Sequence, residues 1–202
     1  MIIATGEWVG NNGMLVQNHP EAELHIVKDS ELAALSGLHT PNDVMLIIPF
    51  PAKKSIPVLK EWYFALDDIQ DPGNMGTIIR IADWFGIRHV VCSPGCVDVY
   101  SPKVVQSAMG GHLRVNLYKQ ELIPFLSAIP LPTIAATLDG DNVYGMQRRE
   151  AGVLIIGNES KGVSEEILSV ATKKVTIPGR GGAESLNAGV SAGILCALLL
   201  PV

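Results

Sequence analysis

Trp62 to Cys92 reads WYFALDDIQDPGNMGTIIRIADWFGIRHVVC. Trp62–Leu66 is an apolar run rich in aromatic residues and has the character of a strand. Asp71-Pro72-Gly73 is a turn, and Asn74 is the expected N-cap of a helix running to about Phe85. Within that helix Met75, Ile78, Ile79, Ala82 and Phe85 recur at helical spacing and share one face. Gly86 closes the helix, and His89–Cys92 forms the next strand.

The same alternation continues toward the C-terminus. Pro102–Met109 is expected to be helical, with proline in its first turn. Glu121–Ala128 is a third helix and Thr133–Leu138 a strand. Val153–Ile156 is a short apolar strand ending at Gly157-Asn158. Ser164 is placed to cap a helix over Glu165–Ala171, whose first turn carries Glu165 and Glu166. Lys174–Ile177 is a last strand, and an almost wholly apolar helix follows Ser185, which is placed to cap it. Strands apolar on both faces, alternating with helices, define an α/β fold with a parallel sheet and helices on both faces.

Upstream, residues 1–57 have a different texture. They hold the Gly10–Gly13 stretch, an amphipathic segment around Glu31–Leu35 and an apolar strand at Val44–Ile48. Pro49, Pro51, Lys53 and Lys54 read as a linker. The chain is therefore expected to divide into a small subdomain, 1–57, and a main domain, 58–202.

Composition narrows the class without naming a partner. Of 202 residues, 48% are hydrophobic and 17% charged, which excludes a disordered chain. Met1–Asn12 lacks the pattern of a signal peptide, and the apolar stretch from Val190 to Val202 is too short to span a bilayer. A soluble, cytoplasmic protein with no membrane association is the expectation. Cys92, Cys96 and Cys196 are too few for a disulfide framework. With His89 and His112 nearby, Cys92 and Cys96 lack the spacing of a zinc site, so no metal is expected and the thiols are read as buried. The net charge of −5 argues against a general nucleic-acid binder. The basic candidates Arg80, Lys103, Arg114, Lys161 and Arg180 all lie in the main domain.

Three glycine-containing segments could carry chemistry. In Asp71–Arg80, Arg80 projects away from the apolar stripe, either as a solvated surface arginine or as a guanidinium beside a helix N-terminus, where it would suit phosphate. In Leu154–Val163, glycines flank a polar loop at the carboxyl end of a strand. That is either an ordinary strand-to-helix turn or a place where a ligand approaches backbone. Lys161-Gly162 does not fit a phosphate-binding P-loop. In Ile177–Asn187, the glycines do not have dinucleotide-binding spacing, and Asn187 is an amide in apolar surroundings that must find partners or a ligand.

In this order and context, the segments resemble the three motifs of the SpoU (TrmH-like) family in the SPOUT superfamily. Asn74, Arg80, Phe85 and Gly86 match the first. Gly157-Asn158-Glu159, with Gly162, matches the second. Ile177-Pro178, a glycine-rich gap and Ser185-Leu186-Asn187 match the third. Tyr100-Ser101-Pro102-Lys103 and Ser107-Ala108-Met109-Gly110 are also similar to the family, and the resemblance covers roughly residues 61–202. Three departures stand out: Gly179 replaces the usual Met, and Ala188-Gly189 replaces the usual Val-Ser.

The resemblance implies a C-terminal deep trefoil knot, an exception to the general absence of knots in protein chains. It implies S-adenosylmethionine as methyl donor and transfer to a ribose 2′-hydroxyl of tRNA or rRNA by a homodimer whose active site is completed across the interface. It places Arg80, Asn74, Glu159, Ser185 and Asn187 in the catalytic site. Leu138, Gly157, Asn158, Ile177, Pro178, Leu186 and Asn187 would bind the cofactor. It further implies that Glu31–Pro51 resembles the end of an RNA-binding unit like ribosomal protein L30e, with much of its beginning missing. Two alternatives accompany this reading: a catalytically silent RNA-binding relative, which Gly179, Ala188 and Gly189 would favour, and a SPOUT enzyme methylating a base.

Overall fold

A computed structural model describes residues 1–52 and 55–201. Lys53 and Lys54, which fall in the expected linker, lie outside the described residues. The chain forms two compact units, Met1–Lys53 and Lys54–Val202.

The first unit contains β1 (Ile2–Thr5), α1 (Gly6–Asn11), α2 (Gly13–Gln17), β2 (Leu24–Val27), α3 (Asp29–Leu35) and β3 (Val44–Leu46). Its sheet has the order β2-β1-β3, with β1 parallel to β2 and antiparallel to β3. All four residues of β1 are buried, as befits a central strand. The amphipathic stretch is α3, which buries Leu32. Strands β1 and β2 were not read from the sequence, because neither four-residue run stands out from its surroundings.

The second unit contains β4 (Trp62–Asp67), α4 (Pro72–Trp84), β5 (His89–Cys92), α5 (Pro102–Ala108), β6 (Asn116–Lys119), α6 (Leu122–Ala128) and β7 (Thr133–Asn142). It continues with β8 (Gly152–Gly157), α7 (Glu165–Val170), β9 (Lys173–Thr176) and α8 (Ala188–Leu199). The six strands run in the order β6-β5-β4-β8-β7-β9, and every pairing is parallel. The expected α/β fold with a parallel sheet is thus present.

Burial on both faces explains the uninterrupted apolar strands. Phe64 and Leu66 of β4, with Leu154 and Ile156 of β8, join one core with Ile78 and Ile79 of α4 and Leu195 of α8. The alternate residues Tyr63, Ala65, Val153 and Ile155 join a second core with Phe125 of α6 and Ile167 of α7. Period-two alternation therefore divides each strand between two helical layers. All three cysteines are buried. A hydrogen bond from Cys92 outweighs burial at Cys96 and lowers its thiol to about 7, while burial pushes Cys196 up to about 12. Among the described residues, no group of three or more His, Cys, Asp or Glu is arranged to hold a metal, and no helix is long and apolar enough to cross a membrane.

Two expected helix starts are corrected by the cap geometry. Asp71, not Asn74, caps α4: its Oδ1 accepts from the Asn74 amide at 2.8 Å, and Pro72 takes the first helical position. Asn187, not Ser185, caps α8, its Oδ1 accepting from Gly189 and Val190 at 2.9 and 3.2 Å. Strand β7 also outruns its expected end at Leu138, because Ala136 and Asp141 both pair with Val175 of β9 around an irregular segment.

Candidate functional site

In a parallel sheet all carboxyl ends lie along one edge, so the loops after β4, β8 and β9 emerge together. Those loops lead into or contain the three glycine-bearing segments. Asn74 joins them. Displaced from the cap by Asp71, it sits on α4 with only 8% of its surface exposed, and both ends of its amide are used. Nδ2 donates to Glu159 Oε1 at 2.9 Å, and Oδ1 accepts from Asn187 Nδ2 at 2.7 Å. The Glu159 carboxylate also receives longer contacts from the Gln70 and Asp71 amides, at 3.5 and 3.4 Å. A carboxylate at the amino end of the 13-residue α4 is favourably placed toward its dipole. One amide thus connects the first segment to the second and third.

Asn187 is wired differently from its expected role as a buried amide. It is exposed, its oxygen caps α8 and its nitrogen reaches Asn74. Asn158 likewise spends its whole amide inside the protein. Nδ2 donates to the Asp68 carbonyl at 2.8 Å, and Oδ1 accepts from the Ser160 and Lys161 amides at 2.9 and 3.1 Å. The adjoining glycines have separate causes. A Cβ on Gly157 would lie 2.2 Å from Gly162 C and Val163 N, so backbone fills that space. Gly162 has φ +71°, the left-handed region that glycine adopts without strain.

The remaining candidates are more open. Arg80 is exposed on α4, and its guanidinium makes no hydrogen bond or ion pair to another described residue. Ser185 is exposed, and its hydroxyl has no hydrogen-bond partner among the described residues. Leu138, Pro178 and Leu186 are exposed, while Ile177 and Gly157 are half-buried. The Leu138 carbonyl accepts from Thr176 Oγ1 at 3.2 Å, binding the irregular part of β7 to β9. The structure therefore brings Asn74, Glu159 and Asn187 into one bonded network and leaves Arg80 and Ser185 outside it.

Sequence reading missed Asp68, Asp71 and Ser93. Asp71 carried a usable signal, since Asp followed by Pro is the N-cap and first-turn pair. Asp68 and Ser93 carried none, because their partners are distant in sequence: the Asp68 amide donates to Ser93 Oγ at 2.9 Å. The altered residues of the third segment have local accounts. A Cβ on Gly189 would approach Thr77 Cγ2 to 2.8 Å, so glycine lets α8 lie close to α4, and Ala188 is buried in the core that the two helices share. Nothing in the structure explains Gly179.

A parallel α/β domain with three polar loops bonded together at its carboxyl edge belongs to the class that binds a small molecule beyond the strand ends. Within that class the chain belongs to the SpoU rRNA Methylase family, whose model matches residues 61–197, bearing out the resemblance carried by the motifs. It is 29% identical over 177 residues to the Bacillus subtilis 23S rRNA (guanosine(2553)-2′-O)-methyltransferase RlmP, covering 86% of this chain and 71% of that one. It is 30% identical over 165 residues to a Streptomyces viridochromogenes 23S rRNA (uridine(2479)-2′-O)-methyltransferase, covering 75% and 58%. A solved chain from Porphyromonas gingivalis, assigned to the TrmH family, superposes with a TM-score of 0.88 at 34% identity, covering 99% of this chain and 81% of that one.

Proposed function

We propose that this protein transfers the methyl group of S-adenosylmethionine to a ribose 2′-hydroxyl of tRNA or rRNA. The observation that carries the reading is the Asn74 amide, which ties the family's three motif segments into one network. Relatives named as ribose 2′-O-methyltransferases support the reaction type. The acidic net charge lends RNA binding no support, so RNA as acceptor rests on the family.

The residues present fit the cofactor. Half-buried Gly157 and Ile177, with exposed Leu138, Pro178 and Leu186, offer backbone and apolar surface at adjacent strand ends, and Asn187 fixes where the last loop meets α8. When bound, S-adenosylmethionine supplies an electrophilic methyl group on a sulfonium centre. Asn158 shapes this site through its loop rather than by an amide contact to the ligand. Arg80 has its full hydrogen-bonding capacity available for an RNA phosphate and the 2′-oxygen, whose developing negative charge it would stabilise. A guanidinium is effectively always protonated, so this electrostatic role is favoured over proton abstraction. Asn74, Glu159 and Ser185 organise the ribose and cofactor loops around it. Holding hydroxyl and donor in line supplies much of the acceleration, by making their encounter unimolecular.

Three larger features belong to the same proposal. The first is the deep trefoil knot. Its support is the β7–β8 connection lying across the end of α8, where the Arg149 amide donates to the Leu199 carbonyl at 2.8 Å and Arg148 to the Leu200 carbonyl at 3.1 Å. The second is a homodimer in the cytoplasm, with each active site completed by the partner copy. The third is substrate selection by the N-terminal segment, 1–57, as a shortened L30e-like unit preceding the methyltransferase domain, 58–202.

The test is to map ribose 2′-O-methyl groups in RNA from cells with and without this protein. Loss of one or more specific methyl groups, restored by re-expression, is the expected result. An unchanged methylation map would overturn the assignment.

A further inference from the structure

The Glu159 loop is held from an unexpected direction. Asp68, just beyond the end of β4, has φ +57° and is one of two non-glycine residues with positive φ among those described. Asp and Asn tolerate this left-handed conformation better than other side-chain-bearing residues. The turn presents three groups at once. The Asp68 amide donates to Ser93 Oγ at 2.9 Å, and its carbonyl accepts from Asn158 Nδ2 at 2.8 Å. Its carboxylate accepts from Gln70 Nε2 at 3.3 Å and lies 3.5 Å from Asn158 Nδ2. On the other side the fit is tight: a Cβ on Gly95 would come within 2.2 Å of Asp68 Oδ1.

Asn158 completes the connection. Its oxygen accepts from the Ser160 and Lys161 amides, so the side chain that grips Asp68 also sets the curvature of the loop bearing Glu159. The loop is closed by the Asn158–Gly162 bridge, leaving little freedom to find another path. From these contacts we infer that Asp68 is a positioning residue, which with Asn158 forms a clasp that sets the Glu159 loop for cofactor binding.

The inference rests on the adenosylmethionine reading for its purpose but not for its geometry, and two measurements separate them. Asn158→Asp retains the loop-facing oxygen, removes the donor to the Asp68 carbonyl and sets a carboxylate against both that carbonyl and the Asp68 carboxylate. Above the carboxylate range the two carboxylates repel; as pH falls, the introduced carboxyl takes a proton and the repulsion ends. Adding Asp68→Asn removes one charge and supplies a side-chain donor, which relieves the carboxylate pair but not the carbonyl.

Thermal midpoints without ligand and adenosylmethionine affinities by calorimetry are measured from pH 5 to 8 for the unaltered protein, Asn158→Asp and the double variant. At pH 8, Asn158→Asp should melt lower and bind about tenfold more weakly, both changes shrinking toward pH 5. The double variant should recover part of the lost midpoint and bind severalfold more tightly than Asn158→Asp at pH 8, short of the unaltered protein because the Asp68 carbonyl still lacks its donor. A loss that neither acid nor Asp68→Asn relieves would mean that Asn158 contacts the ligand directly, and would overturn the clasp. Unchanged midpoints and affinity in Asn158→Asp would overturn it as well. If the unaltered protein does not bind adenosylmethionine, the cofactor-positioning role falls with the functional reading, while the midpoints still decide whether the clasp exists.

Discussion

Arg80 carries the proposed chemistry, yet among the residues assigned to the reaction it is one of the least constrained within the chain. Asn74 and Asn187 are held through both ends of their amides, whereas the Arg80 guanidinium has no bonded partner among the described residues. A group that must grip phosphate and meet a developing charge keeps its donors available until substrate arrives. Replacing Arg80 by Lys keeps the charge but removes the planar, forked arrangement of donors. Turnover on the true RNA substrate should fall about 100-fold or more, the scale for losing a preorganised donor to a developing oxyanion. Calorimetric affinity for adenosylmethionine should hold within about twofold, since the arginine is assigned to RNA. Near-normal turnover of this variant would remove both roles considered for Arg80.

At the scale of elements, the sheet is steadied at the amino ends of its strands, opposite the site. Tyr63 of β4 stacks on His89 of β5, and His89 on Tyr118 of β6, with ring centroids 5.2 and 5.8 Å apart. His89 Nε2 lies 2.8 Å from Glu61 Oε1, and Nδ1 lies 3.0 Å from the Tyr118 hydroxyl. Burial still dominates, and holds the His89 pKa below its ordinary 6.5 despite Glu61. The unfolded chain therefore binds the extra proton first as pH falls. Stability from this group is fully present above about 6.5 and declines as pH drops through that value toward the lowered folded pKa. Denaturant unfolding between pH 5 and 8 should show a downward slope on the acid side, and His89→Phe should flatten it. An identical slope in the variant would assign the titration elsewhere. The legibility of these elements follows from the same physics. Core strands β4, β5 and β8 were readable because apolar runs report burial on both faces locally. The caps of α4 and α8 were misassigned because several residues near each start can cap, and tertiary contacts decide among them. Asn74 is freed to reach Glu159 only because Asp71 takes the cap, and that competition cannot be read from Asn74 itself. The irregular part of β7 was hidden for a related reason: Gly140 is pressed against the backbone of Lys174 and Val175, a fit created by a strand more than thirty residues away.

For the whole molecule, the decisive question is whether one chain holds a complete active site. Helices α4 and α8 lie side by side, close at Thr77 and Gly189 and again at Ile81 and Gly193. Beside that contact Trp84 is 84% exposed and Val190 is 50% exposed, with Arg80 one turn before Trp84 on the same helix. An exposed tryptophan near an unpartnered arginine is the composition of an interface anchor rather than of an ordinary solvated helix. If this face joins two copies, the arginine of one copy can serve the asparagine network of the other. Sedimentation should find a dimer, and Trp84→Glu should weaken association by about 30-fold or more, the range for losing an aromatic anchor. Subunit mixing then tests sharing of the site. Arg80→Lys and Asn187→Ala chains, each nearly inactive alone, are mixed and allowed to exchange. A site built from both copies leaves half the dimers mixed, each with one intact site, so activity should return to about a quarter of the unaltered level. No recovery after verified exchange would mean that each chain supplies its own arginine, and would place the whole reaction within one chain.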